Sequence, residues 1–168
     1  MNSQIFIREA KEDDLPQMLE IYNDIILNTT AVYQYEPQTL DMRKTWFQTK
    51  QQQGFPIFVA VQGDQIKGFS TFSPFRAWAA YLYSVENSVY VTTTERGKGI
   101  GKLLMPPLID AAKRLGLHTI IAAVDATNEA SIRLHNYFGF KEVANFKEVG
   151  WKFGRWLDLK FLQLILEK

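Results

Sequence analysis

The sequence predicts a mixed α/β fold in which one sheet of about seven strands is flanked by about four helices. Three observations carry this. Segments of period 2 and period 3.6 follow one another along the 168 residues, Gly and Pro punctuate them, and no repeat, low-complexity tract or linker divides the chain. The length suits one core, so a single domain over 1–168 is expected.

Residues 4–9 alternate as a first strand does. Asp13 or Asp14 suits a helix cap with Pro16 in the first turn, and Leu15, Met18, Leu19, Tyr22, Ile25 and Ile26 recur on one helical face. A loop over 28–38 carries Tyr33, Tyr35, Glu36 and Pro37. A second helix over 40–53 is stopped by Gly54 and Pro56. Strands over 57–61 and 66–72 meet in a hairpin at Gly63 and Asp64. A loop over 73–80, with Pro74, Arg76 and Trp78, leads to a long strand over 82–91. The next helix places Leu104, Leu108, Ala111, Ala112 and Leu115 on one face and ends at Gly116. Pro106 and Pro107 inside it predict a kink or a late start, since an interior proline costs about 3 kcal/mol. A strand over 119–124 feeds a helix capped at Asn128 and closed by Gly139. Strands from Phe140 and over 156–166, with a loop over 150–154, complete the sheet.

Composition excludes several classes. The chain is 46% hydrophobic and 22% charged with a net charge of +1, so it is globular and has no general attraction for nucleic acid or an anionic membrane. It has no cysteine, which removes disulfide, thiolate-metal and acyl-cysteine chemistry. The two histidines, His118 and His135, are not at metal-ligand spacing, and no metal is expected. The acidic and basic residues near the start do not form a secretory signal, and no run of about 18 apolar residues occurs. A soluble, cytoplasmic protein is expected.

The sequence centres on residues 89–102, where Val89, Tyr90 and Val91 pass through a polar turn into a basic helix start with Gly97, Gly99 and Gly101. Such glycines bring backbone N–H groups close to a ligand, and the helix dipole favours an anion there. Arg96, Lys98 and Lys102 add charge, and Ile100 begins the helix. A P-loop needs four residues between its outer glycines, whereas Gly97 and Gly101 enclose three and Leu103 replaces the hydroxyl. A dinucleotide fingerprint would need glycine where Lys102 stands. The pattern Arg-x-x-Gly-x-Gly over 96–101 resembles instead the coenzyme A pyrophosphate loop of the GCN5-related N-acetyltransferases.

Acyl transfer to an amine needs a base for the ammonium and donors for an oxyanion. Glu86 is the candidate base. In an unbulged strand it shares a face with Ser84, Ser88 and Tyr90, opposite Val85, Val89 and Val91. A carboxylate on a solvent face or in a structural ion pair is the competing reading. His135 lies seven residues after Asn128 with Ser131 between them, so the three share a helix face. His135 reads either as a proton donor or as a satisfied, half-buried histidine. Arg76 with Trp78, Tyr33 with Tyr35, and Lys152 with Phe153, Arg155 and Trp156 pair polar groups with aromatics, as an amino-acid pocket does.

Longer stretches at 33–39, 73–76, 85–91, 128–140 and 149–158 resemble one branch of these enzymes, the phosphinothricin and methionine sulfone/sulfoximine N-acetyltransferases. The resemblance implies an acetyltransferase fold with a twisted, mostly antiparallel sheet, acetyl-CoA as donor and direct attack in a ternary complex on the α-amino group of an amino acid or analogue. It implies Glu86 as general base and His135 as the group that protonates the thiolate. It puts the coenzyme on Val89, Tyr90 and Val91, on the loop from Arg96 through Lys102, and on Asn128, Ser131 and Tyr137. It puts the acceptor near Arg76, Trp78, Asn87 and Ser88, to which the clusters above add Tyr33 and Lys152, in a homodimer. An acetyltransferase for another amine, such as an aminoglycoside, polyamine or protein terminus, and a non-catalytic acyl-CoA-binding module are the alternatives.

Overall fold

The computed structural model describes residues 4–167, and the expected domain over 1–168 takes in 1–3 and 168, which lie outside the described residues. The elements are β1 (Phe6–Glu9), α1 (Leu15–Asn28), α2 (Leu40–Gln52), β2 (Ile57–Gln62), β3 (Gln65–Pro74), β4 (Ser84–Val91), α3 (Ile100–Arg114), β5 (Thr119–Asp125), α4 (Glu129–Tyr137), β6 (Lys141–Lys152) and β7 (Arg155–Ile165). They form the expected mixed sheet of seven strands, in the order β1-β2-β3-β4-β5-β7-β6. Every neighbouring pair is antiparallel except β4 with β5.

Period-2 alternation splits the core between the two faces of the sheet. Ile57, Val59 and Val61 of β2 pack with Leu15, Met18 and Ile25 of α1 and Phe47 of α2. Phe58 and Ala60 face the other way, with Phe72 and Val85, onto Leu104, Met105 and Leu108 of α3. Ile21 joins the buried face of α1, while Leu19 is only partly covered. Asp14 does not cap α1 through its side chain: its carboxylate accepts from Arg8, at 2.6 and 2.8 Å, and from the Lys11 N–H.

Two expectations are corrected. α3 begins at Ile100 and runs through Pro106 and Pro107 without a late start. The carbonyls these prolines deprive of donors belong to Lys102 and Leu103, both exposed residues, so the lost hydrogen bonds fall on the solvent side of the helix. Residue 150 lies inside β6 rather than in a loop, and the chain reverses only at Phe153 and Gly154. Gly150 answers to packing: a Cβ there would stand 2.7 Å from the Tyr33 ring. Among the described residues no helix is long and apolar enough to cross a membrane.

Candidate active site

The site grows from a break in strand pairing. β4 and β5 pair only over residues 84–86 against 119–121. Beyond Glu86, β4 continues beside β3 to Val91, while β5 continues beside β7 to Asp125. The two strands part, and the β5-facing backbone of residues 87–91 has no strand partner. Backbone N–H and C=O groups need partners, so this edge can receive an extended chain that carries amides. The parting opens a groove of about 1510 Å³ that runs from the glycine loop, past Glu86, to Asn28 at the end of α1 and residues 29–33 after it.

At one end, Gly97 and Gly99 adopt φ of 77° and 86°. Neither has a heavy atom within 4 Å of a built Cβ, so glycine is required there by conformation and not by space. Gly99 is the N-cap of α3 and aims the first N–H groups of that helix at the groove, as an anion site requires. Arg96, Gly101 and Lys102 line the same end, and the Lys102 ammonium sits 4.2 Å from the centre of the Tyr137 ring. Lys98 turns away and bonds Glu95 at 3.0 Å. Forcing a branched side chain into the left-handed conformation costs about 1–3 kcal/mol. Gly99→Val is therefore expected to weaken coenzyme A binding by about tenfold or more, with the fold retained, as titration calorimetry and circular dichroism would show.

Glu86 lies midway, half-buried and facing the groove together with Ser88 and Tyr90. Burial raises its pKa above the ordinary 4.5, and the charge of Arg76 opposes that rise. A base of this kind acts only when ionised, so the acid limb of kcat/KM should sit above the ordinary carboxylate range. Arg76→Gln removes the opposing charge and is expected to move that limb to higher pH. A pH–rate profile at low salt checks this, because an exposed guanidinium is screened as salt rises.

The opposite face of β4 carries Asn87, which points to α3 and α4 rather than along the Glu86 face. Its Nδ2 lies 3.0 Å from His135 Nε2 and 3.7 Å from Met105 Sδ. His135 is 4% exposed, with Nδ1 2.8 Å from the Ser131 carbonyl and its ring edge-on to Phe140. A carbonyl only accepts, so Nδ1 carries the proton and Nε2 receives the Asn87 amide. Burial lowers the His135 pKa, and the ring is neutral with both nitrogens engaged. This geometry makes it the satisfied histidine that holds Asn87, and neither nitrogen is left to protonate a leaving group. Asn128 caps α4 by accepting from the Ser131 N–H at 3.1 Å and, with Ser131 and Tyr137, lines the groove.

At the other end, two residues expected to touch the acceptor build the wall instead. Lys152 is 3% exposed and donates to the carbonyls of Ile26, Thr29 and Val32 at 2.6, 2.8 and 2.8 Å. All three ammonium protons are used, so Lys152 ties the end of α1 and the loop after it to β6. The Tyr33 hydroxyl sits 3.3 Å from Asp125 Oδ2 and 3.2 Å from the Asp158 carbonyl, while its ring lines the groove. Arg76 and Trp78 do not line the groove: Arg76 lies over the Phe75 ring at 4.5 Å, and Trp78 is 72% exposed. Asp125, absent from the sequence reading, is a buried groove carboxylate held by the N–H and hydroxyl of Thr127. Its signal was the Asp-x-Thr turn that ends β5. Among the described residues no cluster of three His, Cys, Asp or Glu side chains suits a metal.

Residues 7–160 match the family model for the acetyltransferase (GNAT) domain. The chain belongs to the GNAT acetyltransferases. It is 44% identical over 162 residues to the L-methionine sulfoximine/L-methionine sulfone acetyltransferase of Pseudomonas aeruginosa, covering 96% of this chain and 94% of that one. It is 37% identical to the phosphinothricin N-acetyltransferase of Streptomyces coelicolor, covering 96% of each. The solved structure of yncA from Salmonella typhimurium with its cofactor acetyl-CoA superposes with a TM-score of 0.96 at 40% identity, over 98% of this chain and 95% of that one.

Proposed function

We propose that this protein transfers the acetyl group of acetyl-CoA to the α-amino group of an amino acid or analogue of the methionine sulfone, methionine sulfoximine or phosphinothricin type, by direct attack with both substrates bound. The observation that carries the reading is the unpaired β4 edge between Glu86 and the glycine loop, in a chain whose relatives bear those substrates in their names. Acetyl-CoA supplies an activated thioester carbonyl. The open backbone of 87–91 fits the amides of its pantetheine arm, and the Gly97 and Gly99 turn with the α3 N-terminus fits its pyrophosphate. Arg96 and Lys102 add charge there, and Asn128, Ser131 and Tyr137 form the α4 wall.

An amino group near its ordinary pKa arrives largely protonated. Glu86, half-buried, acts in its ionised form to remove that proton, and the neutral amine attacks the thioester carbonyl. The C–N bond forms as the C–S bond breaks, and a further proton of the amine ends on the departing thiolate, which leaves as the coenzyme A thiol. Arg76, outside the groove over the Phe75 ring, is near enough to bias Glu86. His135 keeps Asn87 in place on the donor side. The whole chain acts as one catalytic domain in the cytoplasm, with no nucleic acid or membrane partner, and it works as a homodimer. Support for the dimer comes from the outer strand β6 and its hairpin with β7, which leave Phe146, Val149, Trp151, Phe153 and Trp156 exposed together. Initial velocities with methionine sulfone test the mechanism. Intersecting double-reciprocal lines and a product heavier by one acetyl group are expected; parallel lines with acetylated protein would point to a covalent route.

A further inference from the structure

On the sheet face shared with Glu86, α2 holds two buried cations that no acid neutralises. Arg43 and Lys50 stand seven residues apart on that helix and are 2% and 3% exposed. Among the described residues neither takes part in a salt bridge. Lys50 donates to the Phe72 carbonyl at 2.6 Å and to the Ser73 hydroxyl, and burial pushes it down to about 8. Arg43 has no such outlet, since a guanidinium keeps its charge. The rings of Tyr22 and Trp46 cover it, with centroids 4.1 and 4.4 Å from Cζ. They leave one edge unserved: Nε and Nη2 are buried without a hydrogen-bond partner. Those two N–H groups point the same way and form a fork that matches two oxygens of one group.

Arg43 lines a cavity of about 150 Å³ between α1, α2 and the face of β3 and β4. Gln38, also in its wall, has a second buried atom without a partner, Oε1, so the residues around the cavity hold two parallel donors and one acceptor that nothing in the described chain satisfies. Ser88 and Tyr90 line both this cavity and the main groove, and Ser73 in its wall stands opposite Glu86 in the β3–β4 register. The cavity therefore adjoins the main groove close to Glu86. Nothing in the transfer described above uses Arg43.

We propose that this cavity is a subsite for a small two-oxygen group, a carboxylate, sulfonyl or phosphinate, held on the Nε and Nη2 edge of Arg43. The group is either a free small anion or the far end of an acceptor side chain. The second source rests on the amino-acid reading given above.

Formate is the probe, added to wild-type protein at constant ionic strength. Trp46 covers Arg43, so its emission should change saturably below ~100 mM formate, and the change should vanish in Trp46→Phe. Arg43→Lys keeps the charge but loses the fork, and Arg43→Met loses both; each should weaken formate binding by about tenfold or more. Should Arg43→Met not fold, Arg43→Lys and the wild-type titration decide. Competition then separates the sources. If the subsite takes the side-chain end, saturating formate raises the KM for methionine sulfone severalfold and leaves that for methionine unchanged. If it takes a free anion, formate binds without that selective competition. No saturable change in emission overturns the proposal, and so does equal competition against both acceptors, which would place formate at the α-carboxylate position. Failure of every amino acid as an acceptor would end the amino-acid reading but leave the formate titration standing.

Discussion

Glu86→Gln is expected to lower kcat by about 10²- to 10⁴-fold, the range a positioned general base supplies. Acetyl-CoA affinity should change little, because the backbone of 87–91 and the glycine loop, not the Glu86 carboxylate, form that surface. Stability gives an independent check with a definite sign. The folded pKa of Glu86 is raised, so its contribution to stability is fully present below the unfolded pKa and is lost as pH rises through the folded pKa. The ionised form that catalysis needs is the one that burial disfavours. The glutamine variant should then be at least as stable as the parent at neutral pH while nearly inactive, as thermal melts and initial rates would show. A variant that lost activity only by losing Tm would place Glu86 in the scaffold.

Lys152→Met should have the second largest effect. Methionine keeps most of the volume but leaves the carbonyls of Ile26, Thr29 and Val32 without their shared donor, a loss of about 3 kcal/mol. A chain of this size should then melt about 6–12 °C lower. Because the loop released carries Tyr33 and forms the acceptor wall, the acceptor KM should rise while acetyl-CoA affinity holds. A rise in acceptor KM with an unchanged Tm would instead return Lys152 to direct substrate contact.

Much of this site was legible because its parts are local in sequence. Gly97 and Gly99 mark left-handed turns wherever a strand runs into a helix, and Glu86 can be placed on a face by counting in twos along an unbulged strand. The parting of β4 from β5 was not legible, since it depends on which strand each takes as its second neighbour. Lys152 was misread for the same reason: its three acceptors lie 120 to 126 residues away, and no periodicity reports them. The pairing of Arg76 with Trp78 suggested a pocket wall, but closeness in sequence does not report which side chains face the groove, and neither of these does. Gly150 looked like a loop glycine because contact with the Tyr33 ring leaves no trace in local pattern. Pro106 and Pro107 predicted a kink or a late start, and α3 nonetheless begins at Ile100.

Acetyl-CoA-dependent release of coenzyme A, followed with a thiol reagent, tests the central claim most directly, because the protein contributes no thiol of its own. Methionine sulfone, methionine sulfoximine and phosphinothricin would be compared with a polyamine and an aminoglycoside. Turnover confined to the amino-acid analogues, and lost in Glu86→Gln, is the predicted result. Turnover of the polyamine or aminoglycoside alone, or acetyl-CoA binding with no release for any acceptor, would contradict it.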